Sequence, residues 1–395
     1  MKIAIICPLV PFPVTDGGRA AVFNPIKFLS QRGHHITLFC TTDKTNDDAI
    51  KTLSRYCRVI VTEHDKRIRA VDVVRSLFSA TPYILKRFHS KIHLAKILDV
   101  LKEGFDVVQV EGIHSAYYGV EIKKQFGTPV VLRMVNLEST NLSTYAKQVS
   151  NILKKIYLKF EIAKLVAYKK RHGNYFDCAF AITKEDEERY RTIVPLAKTK
   201  VISGGVDLEY FTSNSIPELE NSILWIGSLQ WKPNQDSLWW FIRKIVPLIT
   251  KKIPDIKISV VGTNPPLEIS SIRHPNITII GEVLDVRPYY QKTQVCVVPL
   301  RAGSGIRMKM LEMFAMKKAV VSTSLGCAGL DVVNRTHLLV ADSALQFADA
   351  VIELLQNELL RKRCQLEAFS LVKNNYGWNS IADQFERALH DAIKQ

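Results

Sequence analysis

The stretch VVPLRAGSGIRMKMLEMFAMKKAVVSTSLGCAG, from Val297 to Gly329, decides the fold class. An apolar run ends at Pro299, a glycine-containing turn follows, and a helical pattern extends from about Arg307 to Met316 before a second apolar run begins at Ala319. Two short apolar strands joined by one helix are typical of a βαβ unit in a parallel sheet. This segment therefore predicts an α/β fold.

The same alternation of apolar runs and helical patterns extends in both directions. In the front half, strand Lys2–Cys7 is followed by a loop from Pro8 to Gly18, a helical stretch from Ala20 to Gln31 and strand Ile36–Cys40. Further predicted strands are Val59–Val61, Val107–Val110, Val130–Met134, Cys178–Ile182, Ile223–Ile226, Ile256–Val261, Ile277–Ile280, Val295–Pro299, Ala319–Ser322 and Leu338–Val340. The pattern predicts two Rossmann-like, doubly wound domains with a cleft between them, and ligands at the carboxyl ends of the strands.

Domain boundaries are predicted from length and from local composition. A chain of 395 residues is long enough for two cores, and the polar, turn-rich stretch from Val206 to Asn221 is the predicted linker. We expect an N-terminal domain over residues 1–205 and a C-terminal domain over residues 206–378. A last helix, residues 379–395, follows a break at Tyr376-Gly377-Trp378 and is expected to pack back towards the N-terminal domain.

Composition excludes several classes of protein. The seven cysteines form no Cys-x-x-Cys pair, which disfavours a disulfide framework or a zinc site, and no apolar run reaches the ~18 residues of a membrane span. These features favour a cytoplasmic protein. The net charge of +16 is uneven, since residues 1–200 hold 33 Lys and Arg against 19 Asp and Glu, a net of +14. This imbalance predicts an anionic partner for the front half.

The turn before the Arg307 helix has the chemistry of a phosphate site. Gly303 and Gly305 allow a close backbone approach, and the free N–H groups of a helix start attract anions. Arg307 and Lys309 add positive charge where a helix dipole disfavours it unless an anion is bound. Glu312, one turn later, has acceptors for ribose hydroxyls. The alternative to a phosphate site is a glycine-rich turn that leads into a core helix whose charged side chains lie in solvent.

A basic helical stretch covers residues 147–172, KQVSNILKKIYLKFEIAKLVAYKKRH. Apolar side chains recur there at helical spacing with lysines beside them, which predicts either contact with an anionic membrane surface or a core-packed helix with a solvated basic edge. No recognised nucleic-acid-binding module is present, so nucleic acid is not expected as a partner. His89 and His93 lie four residues apart on a basic stretch predicted to be helical, but no third ligand accompanies them, so no metal is expected.

Several segments together resemble glycosyltransferase family 4, a retaining, sugar-nucleotide-dependent family with the GT-B fold. Pro299 to Thr323 follows the family's donor-binding signature nearly position for position. The other matching segments are the glycine pair Gly17-Gly18, Phe160-Glu161, Thr183 to Asp186, Gly205-Val-Asp207 with Phe211, Ile226 to Asn234, and Gly281 to Val283 followed by Asp285, Val286, Pro288 and Tyr289. The resemblance covers essentially the whole chain.

The resemblance implies a donor site without a metal cofactor. Backbone N–H groups near Ile306 to Met308 would bind the donor diphosphate, Glu312 the ribose, and Lys232 the leaving diphosphate with help from Arg307 and Lys309. Gly262 and Val283 would border the nucleobase. The donor-binding residues implied in this way are Gly17, Gly18, Ser228, Lys232, Gly262, Val283, Gly303, Ser304, Gly305, Ile306, Arg307, Met308, Lys309 and Glu312.

Two positions depart from the family pattern. Ser304 stands where the family often has the first glutamate of a Glu-x7-Glu motif, and Val135 stands where it often has a histidine. The resemblance and the nearby polar residues give the predicted catalytic set, which is Gly18, Glu111, His114, Asn136, Glu138 and Lys232.

The expected activity is transfer of a sugar from a nucleotide diphosphate sugar to a lipid-linked or cell-envelope glycan acceptor, with retention of configuration. The expected location is the cytoplasm, either in solution or attached to the inner face of the cell membrane. A sugar-nucleotide epimerase of the same fold and a catalytically silent glycan-binding or scaffold protein are the alternatives. A nicotinamide dehydrogenase is disfavoured because no G-x-G-x-x-G follows the first strand.

Overall fold

The chain forms two compact units. The computed structural model describes residues 1–14, 17–134, 142–143, 145–146, 149, 151–213, 216–303 and 305–394, and only the backbone of residue 70. Unit 1 comprises Met1–Ser203 and Ile381–Gln395, and unit 2 comprises Gly204–Ser380. Each unit is built on one parallel sheet, as the alternation of strands and helices predicts.

The described part of unit 1 contains a sheet of seven strands in the order β3-β2-β1-β4-β5-β6-β7, all parallel. The strands are β1 (Lys2–Cys7), β2 (His35–Thr42), β3 (Arg58–Glu63), β4 (Val107–Glu111), β5 (Val130–Met134), β6 (Cys178–Ala181) and β7 (Thr199–Val201). The central strands β4 and β5 are buried along their whole length. Helices on both faces of a parallel sheet explain why such strands are continuous apolar runs.

Helices and short turns connect the strands of unit 1. They are α1 (Gly17–Gln31), α2 (Asp47–Leu53), α3 (Ala70–Ser76), α4 (Tyr83–Lys86), α5 (Lys91–Leu101), the 3₁₀ turn Ile113–Ser115, α6 (Ala116–Gln125), α7 (Ile152–His172), the 3₁₀ turn Gly173–Tyr175 and α8 (Lys184–Ile193). Side chains of Asn46, Ser90 and Thr183 accept hydrogen bonds from the first free N–H groups of α2, α5 and α8. After α1, Gly33 has a φ of +83°, a conformation that lets the chain turn into β2.

Unit 2 contains, in its described residues, a parallel sheet in the order β10-β9-β8-β11-β12-β13. The strands are β8 (Ser222–Ile226), β9 (Lys257–Val261), β10 (Ile277–Gly281), β11 (Val295–Val298), β12 (Ala319–Ser322) and β13 (Leu339–Val340). Its helices are α9 (Lys232–Trp240), which continues through a π turn (Phe241–Ile245) into α10 (Val246–Thr250), α11 (Leu267–Ser270), α12 (Arg287–Lys292), α13 (Met308–Ala315), α14 (Ala344–Gln356) and α15 (Glu358–Asn375).

The final helix, α16 (Trp378–Ile393), begins in unit 2, and its residues from Ile381 onwards belong to unit 1. Phe385 is fully buried in unit 1, with its ring centroid 6.1 Å from that of Phe180 and 4.8 Å from the guanidinium of Arg133. Arg32 donates hydrogen bonds to Asp383 and Glu386 at 2.5 and 2.9 Å. These contacts fix α16 on the unit 1 core.

Three details differ from the sequence predictions. Edge strand β7 was not predicted, because its Thr-Lys-Val sequence has no apolar run. The basic stretch was predicted from residue 147, but helix α7 begins at Ile152. The side chain of Asn151 caps this start. His89 lies before α5 and His93 lies within it, so the two histidines do not share a helix.

Each sheet has one point at which the direction of strand addition reverses. In unit 1 the point lies between β1 and β4, and in unit 2 it lies between β8 and β11. The loops that follow the two strands diverge there, and they leave a crevice at the carboxyl ends of the strands. These two positions are where a ligand is expected in each unit.

Candidate functional site

The loop after β11 opens at the reversal point of unit 2. Gly303 and Gly305 both have positive φ values, +125° and +78°. A Cβ atom at Gly303 would lie 2.7 Å from the Trp231 ring and 2.8 Å from the guanidinium of Arg307. Glycine is therefore required at position 303 both by the backbone conformation and by the close approach of two side chains.

Helix α13 begins directly after this loop. Arg307 is its N-cap residue and makes no side-chain cap, and the first turn, from Met308, contains no acidic residue. The first N–H groups of a helix have no partner inside the helix, and together with the dipole they favour a bound anion. The start of α13 thus has the geometry of an anion site, at the position that the glycine turn predicts.

Arg307 brings a guanidinium to this helix start. Its side chain is buried, and burial lowers its pKa to about 10, which leaves it charged at neutral pH. The guanidinium carbon lies 5.5 Å from the centre of the Trp231 ring, within the range of a cation–π contact. Trp231 thus packs against both the glycine turn and the arginine, a role that the sequence did not predict.

Lys309 reaches from α13 back to the first strand of unit 2. Its Nζ donates a hydrogen bond of 2.8 Å to the carbonyl oxygen of Ile226, the last residue of β8. Burial, followed by the nearby charge of Arg307, lowers the pKa of Lys309 to about 7. A second basic group is therefore held beside Arg307, and near pH 7 about half of its amine groups are protonated.

Glu312 lies one turn further along α13 and is held by Tyr290 of α12. The Tyr290 hydroxyl donates to Glu312 Oε2 at 3.0 Å, and burial raises the pKa of both groups above their ordinary values. The carboxylate is oriented by this bond. Tyr290 is a positioning residue that the sequence analysis missed, because its 22-residue separation from Glu312 follows no local spacing.

The loop after β8 completes the cluster in unit 2. Asn234 donates to the carbonyl oxygen of Ser228 at 2.8 Å, and the Ser228 hydroxyl accepts a bond of 3.1 Å from Thr263. Lys232 is exposed, and its Nζ bonds to Gln235 at 3.0 Å. A Cβ atom at Gly227 would lie 3.2 Å from Lys309 Nζ, so the loop after β8 meets the first turn of α13.

The two residues predicted at the nucleobase lie at the neighbouring strand ends. Gly262, directly after β9, faces the carbonyl oxygen of Gly227 so closely that a Cβ atom would not fit. Val283, after β10, lines a depression of about 450 Å³ together with Leu284, Asp285, Pro288, Tyr289 and Lys292. Of the predicted donor-binding residues, the structure therefore brings the described ones of unit 2 to one edge of the sheet.

In unit 1, the predicted residues flank the reversal point between β1 and β4. Gly17 and Gly18 form the exposed start of α1, in the connection after β1. His114 lies in the 3₁₀ turn after β4, with its ring centroid 4.8 Å from that of Phe88. Burial lowers the pKa of His114 to about 4, so its ring is neutral at pH 7 and can act as an acceptor or as a neutral donor.

Glu111, the last residue of β4, lies in the interior of unit 1. Its side chain is 2% exposed, and its carboxylate accepts a bond of 2.6 Å from Gln109 and lies 3.4 Å from the Arg133 guanidinium. Arg133 also donates to the carbonyl oxygen of Ala21 in α1 at 2.6 Å. Glu111 therefore contacts Arg133, which in turn contacts α1, and the catalytic role of Glu111 stays a prediction.

Three predicted site residues lie outside the described part of the chain. They are Asn136, Glu138 and Ser304. Their roles remain predictions from the sequence alone.

Comparison with known proteins agrees with this architecture. A family profile described as Glycosyltransferase Family 4 matches residues 15–210, and one described as Glycosyl transferases group 1 matches residues 220–357. A 44.6 kDa protein in the cps region of Klebsiella pneumoniae is 24% identical over 388 residues, which are 95% of this chain and 96% of that protein.

Two solved structures share the fold along the whole chain. Sucrose-phosphate synthase from Thermosynechococcus elongatus superposes with a TM-score of 0.71 at 17% identity, covering 100% of this chain and 99% of the other. Anabaena HepE, solved with UDP and glucose, gives a TM-score of 0.68 at 12% identity and covers 99% of each chain. The two sheets, the matched segments and these comparisons show that the chain is a glycosyltransferase with the GT-B fold and belongs to glycosyltransferase family 4.

Proposed function

We propose that this glycosyltransferase moves a sugar from a nucleotide diphosphate sugar to a lipid-linked or cell-envelope glycan acceptor, with retention at the anomeric carbon. The proposal rests on the start of α13. This helix end has no side-chain cap, and beside it lie Arg307 and Lys309, whose pKa values are lowered by burial. Two cations beside free N–H groups cost free energy unless an anion is bound. A diphosphate supplies that anion.

During sugar transfer, these basic groups would stabilise the charge that develops on the leaving group. Breaking a sugar–diphosphate bond builds negative charge on the leaving diphosphate and positive charge on the sugar. Fixed donors aimed at the leaving group stabilise the transition state more than the bound donor. In this proposal Arg307, Lys309 and Lys232 stabilise the leaving diphosphate, and Glu312, oriented by Tyr290, accepts hydrogen bonds from the ribose.

Several findings support the finer parts of the proposal. HepE was solved with UDP and glucose, which supports a nucleotide diphosphate sugar as donor. The relative in the Klebsiella cps region supports a place in polysaccharide biosynthesis. Among the described residues, no helix is long and apolar enough to cross a bilayer. A cytoplasmic enzyme working at the inner face of the cell membrane is our proposal for its location.

A thermal-shift screen against UDP-, GDP-, ADP- and CMP-sugars tests donor binding, since a ligand that binds only the folded state raises its melting temperature. We expect one class of nucleotide sugar to stabilise the protein, and Arg307→Ala and Lys309→Ala to weaken that shift. Arg243→Ala is the matched control, because Arg243 also lies over a tryptophan ring, at 4.3 Å, on an exposed surface of unit 2. If the ligand raises the melting temperature of both site variants as much as that of the wild type, the phosphate site lies elsewhere.

The stabilising donor is then incubated with lipid-linked and soluble glycan acceptors, and the products are analysed by NMR. Transfer that retains the anomeric configuration supports the proposal. Epimerisation of the donor without an acceptor would indicate the epimerase, and binding without turnover across acceptor classes would indicate a silent binding protein.

A further inference from the structure

The first turns of α7 expose an apolar row. Ile152, Ile156 and Phe160 recur every four residues, and Leu153 lies beside them with 75% of its side chain exposed. The polar residues Glu161 and Lys164 are instead buried, at 3% and 8% exposure. The apolar row is thus turned outwards, which disagrees with the core-packed alternative, while an ion pair lies inside.

A second exposed apolar row belongs to α3 and the turn after it. Val71, Val74 and Phe78 are spaced by three and four residues, and Phe78 is 90% exposed. Leu77 is exposed beside them. Large exposed apolar side chains that recur on one helix face indicate a surface that meets another apolar phase.

Buried polar contacts join the two helices that carry these rows. The Lys164 ammonium donates to the carbonyl oxygen of Ser76 at 2.9 Å and pairs with Glu161, whose other oxygen accepts from the Tyr83 backbone at 2.6 Å. The hydroxyls of Tyr157 and Ser76 are 3.2 Å apart. The end of α3 is therefore fixed against the middle of α7, and each of the two packed helices carries an exposed apolar row. We call this surface the α3–α7 face.

The charge of the α3–α7 face has one dominant sign on its longer helix. Residues 152–160 of α7, ILKKIYLKF, contain Lys154, Lys155 and Lys159 and no acidic residue. Lys154 and Lys159 are exposed next to the apolar row. Long lysine side chains beside apolar groups can keep the ammonium in water while the stem lies along an apolar phase.

We propose that the α3–α7 face docks the enzyme on an anionic lipid bilayer. Apolar rows enter the boundary between headgroups and acyl chains, and the three lysines meet the anionic headgroups, as amphipathic basic helices do at membranes. The complementarity of charge and the absence of acids from residues 152–160 favour a lipid surface over a protein partner. The inference rests on the proposed location at the membrane, but it does not depend on the proposed reaction, since docking requires no donor.

Sedimentation with lipid vesicles tests the proposal on the full chain. The vesicles contain either phosphatidylcholine alone or equal parts of phosphatidylcholine and phosphatidylglycerol. We expect binding to the anionic vesicles only, weakened by salt because the lysines are screened. Replacing Lys154, Lys155 and Lys159 together by Gln is expected to weaken binding about a hundredfold, roughly fivefold per lysine.

The apolar rows are tested separately. Phe78→Ser and Leu153→Ser are each expected to weaken binding at least about tenfold, because each removes a large side chain from the buried contact. Matched controls lie in unit 2, namely the triple change of Lys244, Lys251 and Lys257 to Gln, and the single changes Leu267→Ser and Leu359→Ser, all at exposed positions. Circular dichroism confirms that each variant is folded.

Three results would overturn the proposal. In the first, the wild type and the α7 lysine variant bind vesicles equally. In the second, the unit 2 control variants lose as much vesicle binding as the variants of the α3–α7 face. In the third, the wild type binds neutral and anionic vesicles equally. If the chain does not bind vesicles but forms a dimer in analytical ultracentrifugation, and Phe78→Ser dissociates that dimer, the face binds a second copy of the chain instead. Donor binding measured without lipid is unaffected by any of these outcomes, so failure here is distinct from failure of the proposed reaction.

Discussion

Lys309 shows how one side chain couples the fold of unit 2 to its chemistry. Its ammonium donates to the carbonyl oxygen of Ile226, and burial, followed by repulsion from Arg307, lowers its pKa to about 7. The unfolded chain keeps the ordinary, higher value. Between the two values the unfolded state binds more protons, so Lys309 lowers stability near pH 7 and this cost disappears as the pH rises.

A bound diphosphate stabilises the protonated form of Lys309, so the affinity for a nucleotide sugar is expected to depend on pH. The anion favours the protonated amine, so affinity for a stabilising nucleotide sugar should be full below pH 7 and fall by up to about tenfold per pH unit above it. Isothermal titration across this range measures the slope. Nucleotide sugars suit the test because both phosphates are esterified and do not titrate there.

Lys309→Met is the matched variant, since methionine keeps most of the stem and removes the charge. We expect it to bind the nucleotide sugar weakly with no slope above pH 7, and to melt at an equal or higher temperature without ligand, because a poorly solvated charge is gone. A wild-type affinity that stays constant from pH 6 to pH 9 would contradict the role of Lys309.

Gly303 offers a second test at the residue scale. Gly303→Ala places a Cβ atom 2.7 Å from Trp231 in a backbone with φ of +125°, which should cost about 1–3 kcal/mol and displace Arg307. The control is Gly33→Ala, which has a φ of +83° but meets no described atom within 4 Å. Thermal shift with and without the nucleotide sugar should show lost binding in the first variant only. Equal binding by both would mean that the turn does not shape the site.

At the scale of elements, the sequence predicts best what one strand or helix determines alone. Strands β4, β5 and β11 are buried along their whole length and mostly apolar, and each was predicted. Edge strand β7 was not, because its three residues are not an apolar run. For α7 the spacing predicts an apolar stripe, but only the structure shows that the stripe is exposed and that Glu161 is buried. Periodicity shows that a face exists and does not show what covers it.

The site follows the same division. The turn at Gly303 and the start of α13 are local features and could be predicted. The bond from Tyr290 to Glu312 and the contact of Trp231 with Arg307 join distant segments, so they required the fold. The contact of Glu111 with Arg133 also joins separate strands, and the sequence does not show it.

Helix α16 gives a prediction at the element scale. Phe385→Ala empties a fully buried position beside Phe180 and Arg133, and should lower the free energy of unfolding of unit 1 by about 3–5 kcal/mol. All five tryptophans lie in unit 2, so urea unfolding followed by circular dichroism should report the loss more strongly than tryptophan fluorescence.

The exposed Phe78 provides the control, since Phe78→Ala removes the same atoms from a surface position and should change stability little. Equal losses in the two variants would show that α16 contributes no core to unit 1.

At the scale of the whole molecule, the two units divide the chemistry. Unit 2 carries the cations and the helix start of the proposed donor site, at the reversal point between β8 and β11. The excess of positive charge lies instead in residues 1–200, at +14 of the total +16, where the α3–α7 face provides one use for it. Charge in unit 2 is local and specific, whereas charge in the front half is spread and suits a broad anionic surface.

The central claim is that the donor diphosphate binds where the glycine turn meets α13, and a crystal structure with the best stabilising nucleoside diphosphate tests it most directly. We predict phosphate oxygens within hydrogen-bonding distance of the Met308 backbone N–H and of the Arg307 and Lys309 side chains, with the ribose at Glu312. A diphosphate bound away from the start of α13 would contradict the account.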